Sequence, residues 1–249
     1  MLPGEKSMGK TILITAGGTS EPIDPVRKIS NSGSGRLSSL IADEYAKHEE
    51  VDKIIYICSM KALLPNTEKK KVVRIDTVQQ LADAVGLTLL TEKVDIIVHA
   101  IAVSDYRVRN VTTVEALAKE IGPVPASAEV LRAGLDTAAL PRDTKLSSDM
   151  GEVIVQLEQT PKVISMLRPM APKAKIVGFK LLTEVAKDEL LSVARALGEK
   201  NDCDFVLAND LMKLDGDRHE GFLLGRDGAV VGEFHTKQEI AEGIVEATL

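Results

Sequence analysis

Two glycine clusters flank a single amide side chain near the start of the chain. Gly17 and Gly18 follow at once on the β-branched and apolar run 11–15, and Ser32, Gly33, Ser34 and Gly35 lead into a helical pattern, with Asn31 just ahead of them. Glycines let main-chain N–H groups approach an anion closely, and a helix that starts after such a loop offers unpaired N–H groups and the positive end of its dipole. The pattern therefore predicts a phosphate-binding site with Asn31 inside it. A second set of candidates, His99, Ala100, Ile101, Ala102 and Asp105, stands where an apolar strand should end, and Lys145 follows a long irregular stretch. Each also has a plain structural reading. Asp105 could form a turn, Lys145 could be a solvated lysine, His99 a satisfied core residue and the glycine pair a simple turn.

The elements that must position these residues alternate. After the first strand, apolar residues at helical spacing predict a helix over 36–47, then a buried strand KIIYICS, then a strand over 71–75. Asp76 reads as the N-cap of a helix carrying Val78, Leu81, Val85 and Leu89, and VDIIVHAIAV follows as a nearly continuous apolar run. Such alternation predicts an α/β fold: a Rossmann-like three-layer sandwich whose mainly parallel central sheet binds ligands at the carboxyl ends of its strands. Over 107–144 the pattern weakens around one modest helix near 113–121, which predicts a mobile flap. The sheet pattern resumes at 152–157 and 175–179, followed by a helix over 184–199 and the strand CDFVLA. GFLLGRDGAVVGEF predicts a C-terminal β-hairpin turning at 225–228, before a helix opened by a capping box of Thr236 with Glu239. No repeat or low-complexity linker divides the chain. A single domain over 10–249 is expected, with residues 1–9, which include a second methionine, Met8, as an N-terminal extension.

Composition sets limits on partners. The formal charge of −6 over 249 residues argues against general nucleic-acid binding. No apolar run approaches the roughly 20 residues that span a bilayer, and the first residues lack a signal peptide's apolar region, so a cytoplasmic protein is expected. The two cysteines, Cys58 and Cys203, lie in apolar strand-like runs and support neither a zinc site nor a disulfide.

The segments ITAGGTSEPIDPVRKISN, IAVSDY, TKLSS, QTPKVI, VGFKLLTE and LANDL, in this order and at these separations, resemble the phosphopantothenate-cysteine ligases, also called phosphopantothenoylcysteine synthetases. The stand-alone bacterial type is the nearer likeness. EIGPVPASAEVLRAGLD and the hairpin near Gly225 are the least family-like parts. The resemblance implies a ligase that joins 4′-phosphopantothenate and L-cysteine in coenzyme A biosynthesis through an acyl-nucleotide, with Mg²⁺ and with CTP, the bacterial preference, or ATP. It further implies that Gly17, Gly18 and 33–35 cradle phosphates, that Asn31 holds the carboxylate and later the acyl group, and that Lys145 closes over the α-phosphate. His99, Ala100 and Ile101 with Asp105, Thr160, Pro161, Lys162, Val163, Phe179 and Asn209 would line the nucleotide pocket, while Ala102 and Asp105 would meet the pantothenate part. Relatives in this family are dimers, with the C-terminal hairpin and residues 27–29 as candidate interface parts. This chain departs from the family pattern at Gly33 and Ser38, where a serine and a glycine are usual, and in having only Lys200 after the long helix; Ser38, at a helix start, is itself a candidate phosphate donor in the nucleotide site.

Two rival readings remain. An NAD(P)-dependent oxidoreductase would need G-x-G-x-x-G spacing and an acidic residue ending the second strand, and neither is present. A non-catalytic nucleotide sensor would keep the glycine loops yet have no need of Asn31 and Lys145.

Overall fold

The computed structural model describes residues 9–123, 125, 127–215 and 218–249. Strand β1 (Lys10–Ala16) leads into the glycine region, where β2 (Ser20–Pro22) and β3 (Lys28–Ser30) form a short hairpin before helix α1 (Arg36–Ala46). Then come β4 (Val51–Ser59), β5 (Lys70–Ile75), α2 (Val78–Thr91) and β6 (Ile96–His99). The next stretch holds β7 (Tyr106–Thr113), α3 (Val114–Ile121), α4 (Ala128–Thr137), β8 (Val153–Gln159) and α5 (Ile164–Met170). The chain finishes with β9 (Lys175–Leu182), α6 (Lys187–Asn201), β10 (Phe205–Asp215), β11 (Arg218–Gly225), β12 (Val230–Thr236) and α7 (Lys237–Thr248).

Eight strands form one sheet in the order β12-β11-β10-β9-β6-β1-β4-β5, parallel from β10 to β5 and antiparallel at β11 and β12. The chain therefore winds outward from β1 through β4 to β5, then returns to β6 on the other side. That reversal makes a crevice between β1 and β6 at their carboxyl ends, the place where open α/β sheets bind ligands. Successive side chains of a strand face opposite sides. Ile12 and Ile14 accordingly pack with Ile41, Tyr45 and Ile244 of α1 and α7, whereas Leu13 packs with Leu81, Leu167 and Leu190 of α2, α5 and α6. Both faces are covered, which is why the strands read as unbroken apolar runs. The buried hydroxyls are paired: Tyr45 Oη lies 2.5 Å from Thr248 Oγ1, and Tyr56 Oη donates to the Leu63 carbonyl at 3.0 Å. Cys58 and Cys203 are buried free thiols, and burial pushes the Cys203 thiol up to about 11.

One glycine in this core has no structural need to be one. Gly86 lies inside α2 with no positive φ, and an added Cβ would meet only the flexible termini of Met166 at 3.5 Å and Met170 at 3.9 Å. Gly86→Ala should therefore raise the thermal midpoint by roughly 2–4 °C, from about 1 kcal/mol of helix propensity in a domain of this size. A lowered midpoint in differential scanning calorimetry would contradict this packing.

Several expectations change. Thr77, not Asp76, caps α2: its Oγ1 accepts the Gln80 N–H at 3.2 Å while Gln80 Oε1 accepts the Thr77 N–H at 3.3 Å, and the Asp76 carboxylate pairs with Lys28 instead. Thr236 does cap α7, but the Glu239 carboxylate reaches back one residue further, to the His235 N–H. The apolar run ending in VHAIAV is a strand only to His99. Beyond it, Ala102 donates its N–H to Gly17 O at 2.9 Å and accepts from Thr19 N–H at 3.1 Å, tying the two loops together. Residues 152–157 do not rejoin the central sheet: β8 pairs antiparallel with β7 in a sheet of their own. The stretch expected to be an irregular flap thus contains a bulged strand and two helices. It has a small core of Val108, Val111 and Leu146, and Arg109 and Asn110 both bond Asp136. Val124 and Ala126 of that stretch, and all of the N-terminal extension except Gly9, lie outside the described residues.

Candidate active site

The loops at the crevice touch backbone to backbone. A Cβ on Gly18 would fall 2.1 Å from the Asn31 carbonyl oxygen, and one on Gly33 would fall 2.3 Å from Gly17 O. Gly17 and Gly35 take φ of 88° and 72°, a region that disfavours other residues. The Asn31 N–H bonds Thr19 O at 3.0 Å, and the Gly18 N–H bonds Ser59 Oγ at 3.3 Å. Asn31 is thereby held at the lip of the crevice. Gly35 is the N-cap of α1 and supplies no side-chain cap, and the first turn carries no acidic residue. An anion is the complement this helix end lacks. The N-terminus of α2, by contrast, is closed by the buried Glu21, whose carboxylate accepts the Val78 N–H at 2.8 Å.

A cleft of about 580 Å³ opens from these loops across the ends of β6, β9 and β10. It is lined by Asn31, Gly33, Ser34 and Gly35 at one wall, by His99, Ala100, Ile101 and Ala102 on its floor, and by Phe179 and Asn209 further along. Among the described residues, Arg36, Lys162, Lys180 and Lys237 line it together with one carboxylate, Asp105, which pairs with Lys162. In a chain whose net charge is −6, four basic side chains gathered at one cleft suit polyanionic ligands. Among the described residues no cluster of three or more acidic, histidine or cysteine side chains could hold a metal ion by itself.

The sequence matches a family model over residues 7–122 and 137–249, that of the DNA/pantothenate metabolism flavoprotein C-terminal domain. The chain belongs to this family. The unmatched residues 123–136 include most of α4, the region that also looked least family-like in sequence. Similar proteins include the coenzyme A biosynthesis bifunctional protein CoaBC of Thermococcus kodakarensis, 32% identical over 234 residues, 94% of this chain and 49% of that protein. CoaBC of Mycobacterium tuberculosis is 32% identical over 243 residues, 96% of this chain and 52% of that one. The chain spans about half the length of these curated relatives. The DNA/pantothenate metabolism flavoprotein of Streptococcus pneumoniae has the same fold, with a TM-score of 0.82 at 29% identity over 96% of this chain and 97% of that one. A Cab2 variant in complex with phosphopantothenate-cysteine shares the fold at a TM-score of 0.67 and 19% identity, over 96% of this chain and 86% of the other.

In this family member Gly17, Ser38, Lys162 and Val163 also line the cleft, whereas four candidates do not. Gly18 is taken up in the backbone clasp that joins the 17–19 and 31–33 turns. Thr160 and Pro161 border a neighbouring groove, and Thr160 has a different task. Its N–H bonds Asp105 O at 3.0 Å and its Oγ1 donates to Ser104 O at 2.6 Å, while the Ser104 N–H bonds Thr19 Oγ1 at 2.9 Å. Asp105 is thus fixed from two sides. Lys145 is exposed outside the cleft, next to Leu146, whose N–H bonds the buried Asp24 carboxylate at 3.2 Å. Burial would raise the Asp24 carboxyl, but N–H donors from Arg27, Val26 and Leu146 bring it below the usual range. Ser38, one of the departures from the family pattern, turns its hydroxyl inward to Thr15 O at 3.4 Å. Arg36, Lys180, His219 and Lys237 are cleft residues that the sequence reading missed.

Both cleft histidines are buried, and burial pulls each down to about 4. His99 Nδ1 lies 3.1 Å from Thr15 Oγ1. Between pH 6.5 and 4 the unfolded chain binds protons that the folded chain refuses, so stability is full above the unfolded value and falls as the pH drops through this window. The expected slope is roughly 1.4 kcal/mol per pH unit for each histidine. Urea denaturation between pH 7.5 and 4.5 checks this, and a flat profile would contradict it.

Proposed function

We propose that this domain joins 4′-phosphopantothenate and L-cysteine to give 4′-phosphopantothenoylcysteine, using a nucleoside triphosphate and working in coenzyme A biosynthesis. The observation that carries the reading is the clasp of two glycine turns holding Asn31 at the mouth of a cation-lined cleft, in a family whose curated relatives include several named for that pathway. In the first step a substrate carboxylate oxygen attacks the α-phosphorus and pyrophosphate leaves. In the second, the cysteine amine attacks the acyl carbon of the acyl-nucleotide, losing a proton as the nucleoside monophosphate departs. Attack of an anion on a polyanion needs neutralised charge and alignment more than covalent help. Arg36, Lys180 and the α1 N-terminus would supply the first, and the 100–102 backbone with Phe179 and Asn209 the second. The Asn31 amide would donate to the developing oxyanion without acting as a base. Asp105 together with triphosphate oxygens would hold Mg²⁺, which adds positive charge at the phosphates. We take CTP as the preferred nucleotide, a homodimer as the working state, through surfaces that include the exposed Val26, Ile29 and Val231, and the cytoplasm as its place. Mass detection of 4′-phosphopantothenoylcysteine after incubation with Mg²⁺ and either CTP or ATP tests the reading; absence of product with both would move the sensor reading to the front. The oxidoreductase reading is disfavoured by Ser59, which ends β4 and bonds the Gly18 N–H where a ribose would need an acidic acceptor.

Lys145 has to travel to act on the α-phosphate. Its neighbour Leu146 is tethered by Asp24 and belongs to the small core under β7 and β8. Closure would therefore carry this module, shutting out water that would hydrolyse the mixed anhydride. Amide hydrogen exchange over 139–150 should slow when CTP and 4′-phosphopantothenate are added together. Unchanged exchange would argue against closure.

A further inference from the structure

His219 is the odd residue of the cleft. It is 5% exposed, it lines the cleft wall from β11, and neither Nδ1 nor Nε2 has a hydrogen-bond partner among the described residues. His99, equally buried in the same cleft, is satisfied by Thr15. A buried polar group left unpaired costs on the order of 1–3 kcal/mol, and folded proteins retain few of them without a reason. Core packing alone would be better served by leucine. Lys237, the first residue of α7, lines the same end of the cleft, and its charge acts on the His219 ring. Helices α1 and α7 pack side by side through Ile41, Tyr45, Ile240 and Ile244, and both begin at the cleft. This end of the site thus combines a basic side chain, the N-terminus of α1, which has neither a side-chain cap nor an acidic residue in its first turn, and an imidazole with no hydrogen-bond partner among the described residues.

We propose that His219 and Lys237 form a phosphoryl-receiving subsite, in which the neutral His219 ring donates its N–H to a phosphoryl oxygen and Lys237 balances the charge. The inference rests on the ligase reading for the identity of the phosphoryl group. Two sources present the same chemistry: the β- and γ-phosphates that leave as pyrophosphate, and the 4′-phosphate of phosphopantothenate. A cationic ligand is disfavoured by Lys237, and an apolar one would leave both ring nitrogens unpaired.

Calorimetric titration of the wild type, His219→Leu, His219→Asn and Lys237→Met with pyrophosphate, CTP, CMP, 4′-phosphopantothenate and pantothenate tests it. Loss of one hydrogen bond to a charged oxygen corresponds to roughly tenfold or more in affinity. If the subsite takes the β- and γ-phosphates, all three variants weaken pyrophosphate and CTP by about that factor and leave CMP unchanged. If it takes the 4′-phosphate, they weaken 4′-phosphopantothenate and leave pantothenate unchanged. Unaltered affinity for every phosphorylated ligand, with a higher thermal midpoint in His219→Leu, would overturn the proposal and make His219 a packing residue. Should His219→Leu not fold, the same comparison is read from His219→Asn and Lys237→Met. The two readings can fail separately. Pyrophosphate binding that depends on His219 in a protein making no phosphopantothenoylcysteine would keep the subsite and remove the ligase, and ligation with binding indifferent to His219 would do the reverse.

Discussion

Alanine at Gly18 is expected to remove nearly all ligation activity while the central sheet still forms. The added methyl would lie 2.1 Å from the Asn31 carbonyl oxygen, a backbone atom that cannot swing aside like the end of a flexible side chain. Relief requires the 17–19 and 31–33 segments to part by about 1 Å, and a displacement of that size at a reacting group costs on the order of a hundredfold in rate. The Asn31 N–H bond to Thr19 O would stretch at the same time. Strain of this kind typically removes about 1–3 kcal/mol of stability. The informative readout is the pair of measurements, kcat/KM for 4′-phosphopantothenate and the thermal midpoint. Activity within a few-fold of wild type would mean that the clasp does not position the reacting groups.

Asn31→Ala is expected to separate the two half-reactions. Its backbone bond to Thr19 survives the substitution, so the loop should keep its shape and pyrophosphate should still be released. What is lost is the amide donor facing the acyl group during aminolysis. By analogy with the removal of one oxyanion-hole donor, the second step should slow by roughly 10²–10³-fold. An acyl-nucleotide should then accumulate in single-turnover samples quenched and examined by mass spectrometry. Equal slowing of both steps, with no intermediate, would assign Asn31 to binding alone.

How far the site could be read from sequence follows from where its information lies. The strands β1, β4, β6 and β9 are buried on both faces, so each leaves an unbroken apolar run, and the glycine turns are legible because Gly17 and Gly35 need positive φ. These together predict the crevice. By contrast, β7 carries Arg107 and Arg109 in a bulged strand, and its pairing with β8 is a long-range event that composition does not announce. Helices α4 and α5 were obscured by prolines, one of which, Pro169, lies inside α5. Thr160 was a candidate for the right region and the wrong task, since only the folded chain shows its bonds to the 104–105 backbone. His219 had no sequence signal at all. It stands in the polar stretch RHEG, and its burial comes from the pairing of β11 with β10 and from α7 packing across the sheet.

The measurement that tests the account most directly is pyrophosphate release with cysteine left out. The wild-type protein with Mg²⁺ and CTP should release one pyrophosphate per site in a burst that requires 4′-phosphopantothenate, with a weaker response to ATP. Release that is indifferent to 4′-phosphopantothenate, or no release with either nucleotide, would contradict the claim that this cleft activates a carboxylate.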